Sequence, residues 1–253
     1  MKKHRIRHFL FKIIRYSVSV FYPKIEVVNT ENLPDEPCIV VGNHSQLHGP
    51  IACELYLSDN FYTWCASQMM KLKEVPAYAY KDFWSQKPKW QRVFFKIASY
   101  IIAPLSVVVF NSARTIAVYR DNHVLSTFRE TIFKLQDGKS IVIFPEHDKK
   151  HNNIVYDFQE GFVDVARLYY KRTGKELSFV PLYIAPNLRK MYFGKPVVFS
   201  PDAPAEEERR RICDYLMGEI TNIACNLPEH IVVPYRNIPK HLYPKNTQKE
   251  SEN

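Results

Sequence analysis

Two short apolar runs, residues 38–41 and 140–144, each break off into a polar loop that carries a histidine. The first continues as Gly42, Asn43, His44, Ser45, Gln46, Leu47, His48, Gly49 and Pro50; the second continues as Pro145, Glu146 and His147. Runs of four or five apolar residues rich in Ile and Val, cut off by such punctuation, read as buried strands. An open α/β sheet places its reactive groups where strands end and loops begin, so both loops fall where such a site is built. A histidine presented there can act as a general base, and a glutamate from the next such loop can hold a substrate.

The rest of the chain fits the same frame. Strand-like runs recur near 24–28, 61–66, 115–119, 178–184 and 196–199, and helical periodicity fits 51–57, 122–136, 160–172 and 204–226. Gly138 and Gly174 stop two of the helices, while Asp202 and three acids (Glu206, Glu207, Glu208) mark the start of the last, with Pro228 after its end. The alternation predicts an α/β domain over 23–236 with a mixed, mainly parallel sheet flanked by helices. There is no internal repeat. Residues 237–253 are polar and Lys-rich, and are expected to form a flexible basic tail.

Composition narrows the partners. Aromatics make up 14% of the 253 residues, glycines number only 7, and the net charge is +9. Excess aromatic rings with positive charge suit an anionic lipid surface. They would also suit nucleic acid, but no RNP-type box or zinc-finger spacing is present, and no nucleic-acid partner is expected. The five cysteines form no CxxC pair and no metal-type spacing, which reads as a reduced, intracellular protein.

Residues 1–22 hold Lys2, Lys3, Arg5, Arg7, Lys12 and Arg15 with apolar residues at near-helical spacing, and no acid precedes Glu26. Lys12 and Arg15 break the apolar core that a signal peptide or a membrane span would need. A basic amphipathic helix lying on an anionic leaflet is expected, the alternative being a helix packed on its own domain. Residues 93–110 are nearly continuous apolar sequence, broken by Lys96 and Pro104 and preceded by Trp84, Lys87, Lys89, Trp90 and Arg92. Two readings stand level: a buried helical hairpin, or a shallow membrane-contacting insertion over 84–110 with an interfacial collar.

From about 25 to 199 the chain resembles the glycerophospholipid acyltransferase family, whose familiar bacterial member is 1-acylglycerol-3-phosphate acyltransferase. Asn43 and His44 resemble the opening of its first block, which reads Asn-His, four residues, Asp. Ile116, Ala117, Val118, Tyr119 and Arg120 resemble its second block, where an arginine meets the acceptor's phosphate. Phe144, Pro145, Glu146, His147, Asp148 and Lys149 resemble its Phe-Pro-Glu-Gly-Thr-Arg block, and Phe179, Val180, Pro181 and Leu182 its Val-Pro strand. The resemblance implies a glycerol-3-phosphate acyltransferase-like fold and transfer of a fatty acyl group from acyl-CoA or acyl carrier protein to a lysophospholipid or related alcohol. It implies His44 and Glu146 as catalytic residues, and Asn43, Arg120, Pro145 and Lys149 as substrate-binding ones. Arg120 is expected to end a strand beside the His44 strand, so that Arg120 and Lys149 face one cleft. No metal or other cofactor is implied, because the thioester is already activated. The implied location is peripheral, on the cytoplasmic face of a membrane.

Departures from the pattern are specific. The closing Asp is Gly49, and His147, Asp148 and Lys149 stand for Gly, Thr and Arg. The missing carboxylate would have fixed the tautomer of His44; Glu146, Asp148, His48 or a backbone carbonyl could substitute. Restoring it through Gly49→Asp is expected to raise turnover if no other group does so. A metal site from His44, His48, His147, Asp148 and His151 is conceivable, although nothing in the spacing requires one. Two rival readings are a degenerate member that binds lipid or acyl donor with weak catalysis, and a basic membrane adaptor.

Overall fold

The computed structural model describes residues 2–84, 88–119 and 123–247. In chain order its elements are α1 (Lys2–Phe21), β1 (Glu26–Val28), β2 (Ile39–Gly42), α2 (His48–Tyr56), β3 (Phe61–Ala66), α3 (Val75–Ala79), α4 (Arg92–Phe110), β4 (Thr115–Val118), α5 (Val124–Gln136), β5 (Ser140–Ile143), β6 (Glu146–Lys150), β7 (Tyr156–Phe158), α6 (Asp164–Thr173), β8 (Ser178–Ala185), β9 (Lys190–Phe193), β10 (Val197–Val198) and α7 (Ala205–Cys225). The chain divides into two compact units, one of Lys24–Tyr62 with Phe128–Asn253 and one of Met1–Pro23 with Thr63–Thr127.

The larger unit carries strands in the order β1, β9, β8, β2, β5, with β10 paired to the start of β8. β2 is parallel to both β5 and β8, and β1 is parallel to β9; β8 is antiparallel to β9 and β10. The sheet is therefore mixed and mainly parallel, with helices packed on it, as its sequence pattern implies. β2 reads Ile-Val-Val-Gly and is buried throughout, the signature of a central strand covered on both faces. Helix α7 packs on β8 through Ile212, Cys213, Leu216, Met217, Ile220 and Ala224, a stripe at helical spacing. Register sets the site: Val41 lies opposite Ile143 on β5, and Gly42 opposite Leu182 on β8. The loops after β2 and β5 consequently leave the sheet together.

The smaller unit pairs β3 and β4 in parallel and packs α3 against α4. Its core is Met69, Val75, Ala79 and Ala103, with Phe83, Ile102, Val107 and Phe110 around them. Residues 93–110 form one continuous helix with Pro104 inside it, not a hairpin. The helix is turned inside out: Ser99, Ala103 and Ser106 face the unit, whereas Val93, Phe94, Ile97, Tyr100, Ile101 and Leu105 are exposed. Packing on Met69, whose carbonyl accepts the Ser106 hydroxyl at 3.0 Å, needs small residues at close approach. Helix α1 packs on α4 and likewise exposes Ile6, Phe9, Leu10, Ile13, Tyr16 and Val20, burying Phe11.

Three sequence expectations change. Both edges of β2 are taken by β5 and β8, so β4 does not run beside the His44 strand. The β6–β7 hairpin and β9 were not anticipated, because the Glu-His-Asp-Lys-Lys sequence of β6 carries no apolar alternation. Of the tail expected to be flexible over 237–253, residues through Asn246 are tied to the fold, and 248–253 lie outside the described residues. Ile231 bridges Lys245, and buried Asn246 donates to the Ala224 carbonyl at 2.7 Å.

Candidate active site

Past the end of β2, Asn43 continues the sheet with its side chain. Its Oδ1 accepts the Ile184 amide at 2.7 Å, and its Nδ2 donates to the Ile184 carbonyl at 3.1 Å and to the Ser45 hydroxyl at 2.7 Å. Fully committed to the fold, Asn43 braces the loop and offers nothing to a substrate. The two residues after His44 are both left-handed, Ser45 at φ 45° and Gln46 at φ 55°. Such positions cost about 1–3 kcal/mol each for non-glycine residues, and persist only where the surroundings hold them. Here the Asn43–Ser45 bond holds one. The other is held through Gln46 Nε2, which donates to the Tyr243 hydroxyl at 2.9 Å and the Arg236 carbonyl at 3.3 Å. The double left-handed turn brings the chain back on itself, and the Gly49 amide donates to the His44 carbonyl at 3.1 Å as α2 begins.

The His44 imidazole stands in an aromatic setting. Its ring makes edge contacts with Phe144, centroids 5.2 Å apart, and with Tyr235, 5.9 Å apart. Nδ1 is buried and has no hydrogen-bond partner among the described residues, which leaves Nε2 as the nitrogen available to a reactant. Burial lowers the pKa below the usual histidine value, and backbone groups of Gln46 and His44 oppose it only in part. A neutral imidazole at neutral pH follows, the form a general base needs.

Gly49 occupies the place of the family's aspartate, and the packing explains why no larger residue sits there. A Cβ at Gly49 would meet the His44 carbonyl oxygen at 2.6 Å and the Phe144 ring at 2.9 Å. Helix α2 is pulled in against the His44 loop, and the Phe144 ring fills the space beside it.

Glu146 is buried with its carboxylate turned toward the backbone. Oε2 accepts the His44 amide at 2.5 Å, and Oε1 accepts the Tyr156 amide at 2.8 Å. Burial raises its pKa to about 7 against the pull of those two donors. It neither orients the His44 ring nor faces a substrate; it ties the β2 loop to β7. Pro145 acts likewise through its carbonyl, which accepts the Gln159 amide at 2.9 Å. Lys149 is exposed and paired with Asp157 at 3.0 Å, with His147 3.7 Å from the same carboxylate. Arg120 lies outside the described residues. Among the described residues, no three His, Cys, Asp or Glu side chains gather as a metal site.

The structure brings His44 and the Phe-Pro-Glu loop together, with Phe144, Tyr235, Gln46 and Tyr243 around them, four residues the sequence did not single out as parts of the site. The Phe-Pro-Glu context was the available signal for Phe144. For Tyr235 the sequence held none.

A computed match to the family model described as Acyltransferase spans residues 24–185, more than half of the chain, and includes β2, β5 and the His44 and Glu146 loops. Among solved structures, the chain is similar to the 1-acyl-sn-glycerophosphate (LPA) acyltransferase PlsC from Thermotoga maritima, at 15% identity and a TM-score of 0.48, over 89% of this chain and 84% of that one. The search of curated proteins gives no significant match. The chain belongs to the acyltransferase family.

Proposed function

We propose that this protein moves a fatty acyl group from acyl-CoA or acyl carrier protein onto the hydroxyl of a lysophospholipid or related acceptor at a membrane surface. The observation that carries the reading is His44, held just past the end of the central strand with its imidazole kept in the neutral form by burial. Nε2 takes the hydroxyl proton as the acceptor oxygen attacks the thioester carbonyl. The tetrahedral oxyanion then collapses, the carbon–sulfur bond breaks, and the thiol leaves with the proton returned by the imidazolium. No further cofactor is required, since the thioester supplies the activation.

Arg120 is the proposed contact for an acceptor phosphate, on the strength of the Val118-Tyr119-Arg120 resemblance. Membrane attachment is proposed through α1 and α4, whose exposed apolar stripes would enter the headgroup boundary. The stretch Lys89–Phe110 is also long and apolar enough to cross a bilayer, with a mean hydropathy of 2.1. Lys96 and the interfacial residues beside it favour a shallow position. Arg5, Arg7, Lys12 and Arg15 on α1 would each add roughly 1 kcal/mol on an anionic leaflet.

A second reading has one specific observation behind it. His44 Nδ1 meets no carboxylate, so the imidazolium lacks the support that an aspartate gives. In serine proteases, spoiling that aspartate costs roughly 10⁴ in turnover. A lipid- or donor-binding protein with weak catalysis fits the same geometry. Incubating the purified protein with labelled acyl-CoA or acyl carrier protein and a panel of lysolipids, read by product chromatography, separates the two. An acylated lipid formed with many turnovers supports the enzyme; donor binding without turnover supports the alternative.

A further inference from the structure

The chain beyond the matched residues 24–185 returns to the site. Its base is fixed at two places. His230 is buried with Nε2 2.7 Å from the Tyr183 hydroxyl, and its amide donates to Asn246 Oδ1 at 2.9 Å. The Val232 amide donates to the Pro244 carbonyl at 2.8 Å, closing a loop between the two ends. The strap between them, residues 233–243, reaches the His44 loop at three points. Tyr235 meets the His44 ring, while the Arg236 carbonyl and the Tyr243 hydroxyl hold Gln46. Tyr235 in turn packs on Tyr156, whose amide is bound by Glu146, which also binds the His44 amide. His44 is thus enclosed in a circuit: backbone through Glu146, ring through Tyr235, both meeting at Tyr156.

We propose that Tyr235, carried on this strap, is a positioning residue for His44, holding the imidazole with an aromatic edge where the family's pattern uses a carboxylate. The proposal rests on His44 being the base. Two ring contacts, Phe144 from the end of β5 and Tyr235 from the strap, bracket the imidazole, whose Nδ1 is buried. The titratable and charged groups around it act elsewhere. Glu146 binds the His44 backbone, Arg236 lies 3.7 Å from Asp148, the Tyr156 ring packs tilted against Tyr235, and His48 is the first residue of α2. Burial of the ring among its neighbours is then opposed only by the backbone groups of Gln46 and His44 in setting its protonation state.

The test follows the His44 ring by ¹⁵N NMR against pH in wild type, Tyr235→Phe and Tyr235→Ala, and sets it beside the pH dependence of acyl transfer. Wild type and Tyr235→Phe should titrate together, below the ordinary histidine value. Tyr235→Ala should titrate higher, toward about 6.5, because water reaches the ring. It should also lose roughly tenfold or more in kcat with donor KM within about twofold, and the acid limb of kcat/KM should move up with the ring. A ring titration indifferent to Tyr235→Ala overturns this proposal alone, as does Tyr235→Phe behaving like Tyr235→Ala. Transfer undiminished by His44→Ala overturns the proposed function, and this assignment with it.

Discussion

One carboxylate oxygen of Glu146 accepts the backbone N–H of His44, and the other accepts that of Tyr156, so the glutamate of the Phe-Pro-Glu block holds the histidine's main chain and leaves its ring alone. Support for His44 is thereby split between a buried acid that fixes where the loop lies and two aromatic rings in contact with the imidazole.

The Glu146 carboxyl should leave a mark on stability. Its folded pKa, about 7, lies above the usual carboxylate value, so the folded protein binds more protons than the unfolded chain between roughly pH 4.5 and 7. Stability from this group is complete at the acid end of that window and is lost as pH rises through 7. Glu146→Gln places an amide donor against one of the two backbone donors, and should cost about 1–3 kcal/mol at pH 5. Urea midpoints from pH 4.5 to 8 should fall for wild type and lose that slope in the variant.

Putting an aspartate back at position 49 should fail. The added Cβ would sit 2.6 Å from the His44 carbonyl oxygen and 2.9 Å from the Phe144 ring, both parts of the packed loop. Gly49→Ala should already destabilise by about 1–3 kcal/mol, and Gly49→Asp by more, with turnover lowered rather than raised. Thermal melts beside initial rates check both. A more active Gly49→Asp would show that the loop can open and that a carboxylate is what the site lacks.

Much of the fold was legible because its central strands are continuous apolar runs that cannot be mistaken at residues 39–42, 140–143 and 178–185. His44 was legible because a polar block interrupts such a run abruptly. The direction of Glu146 was not, since backbone amides that donate to a carboxylate leave no trace in residue types. Nor was Tyr235, whose approach depends on a return of the chain set by His230 and Asn246. The same polar composition that suggested a flexible tail supplies its anchors: an asparagine amide satisfies three carbonyls, at Ala224, Leu227 and Pro228, as well as it solvates in water.

The two cations expected at an acceptor phosphate should now behave differently. Lys149 is exposed and engaged by Asp157, so Lys149→Ala should change the KM for a phosphorylated acceptor by less than about twofold. Arg120→Ala should raise that KM roughly tenfold or more, and the donor KM far less, if its guanidinium grips the phosphate. Steady-state kinetics with phosphorylated and neutral acceptors give both ratios. Equal use of a neutral acceptor by wild type and Arg120→Ala would place the acceptor outside the phosphate class.

Attachment to lipid should follow the exposed stripes. Replacing Phe94, Ile97 and Ile101 with serine, or Ile6, Phe9 and Ile13, removes apolar side chains that are at least 48% exposed, and should leave the unit's core of Met69, Val75, Ala79 and Ala103 intact. Each triple variant should float less with anionic vesicles, and the α1 variant should be released at lower salt than wild type. Co-flotation equal to wild type in both would remove these helices from the membrane reading.

His44 is the point on which the account turns. Acyl transfer from a labelled thioester to a lysolipid should be compared in wild type and His44→Ala, with vesicle binding and thermal unfolding measured on the same samples. Transfer should fall by at least about 10²-fold in His44→Ala, the span of a general base, while binding and melting stay at wild-type values. Transfer persisting near the wild-type rate in a folded His44→Ala would contradict the account.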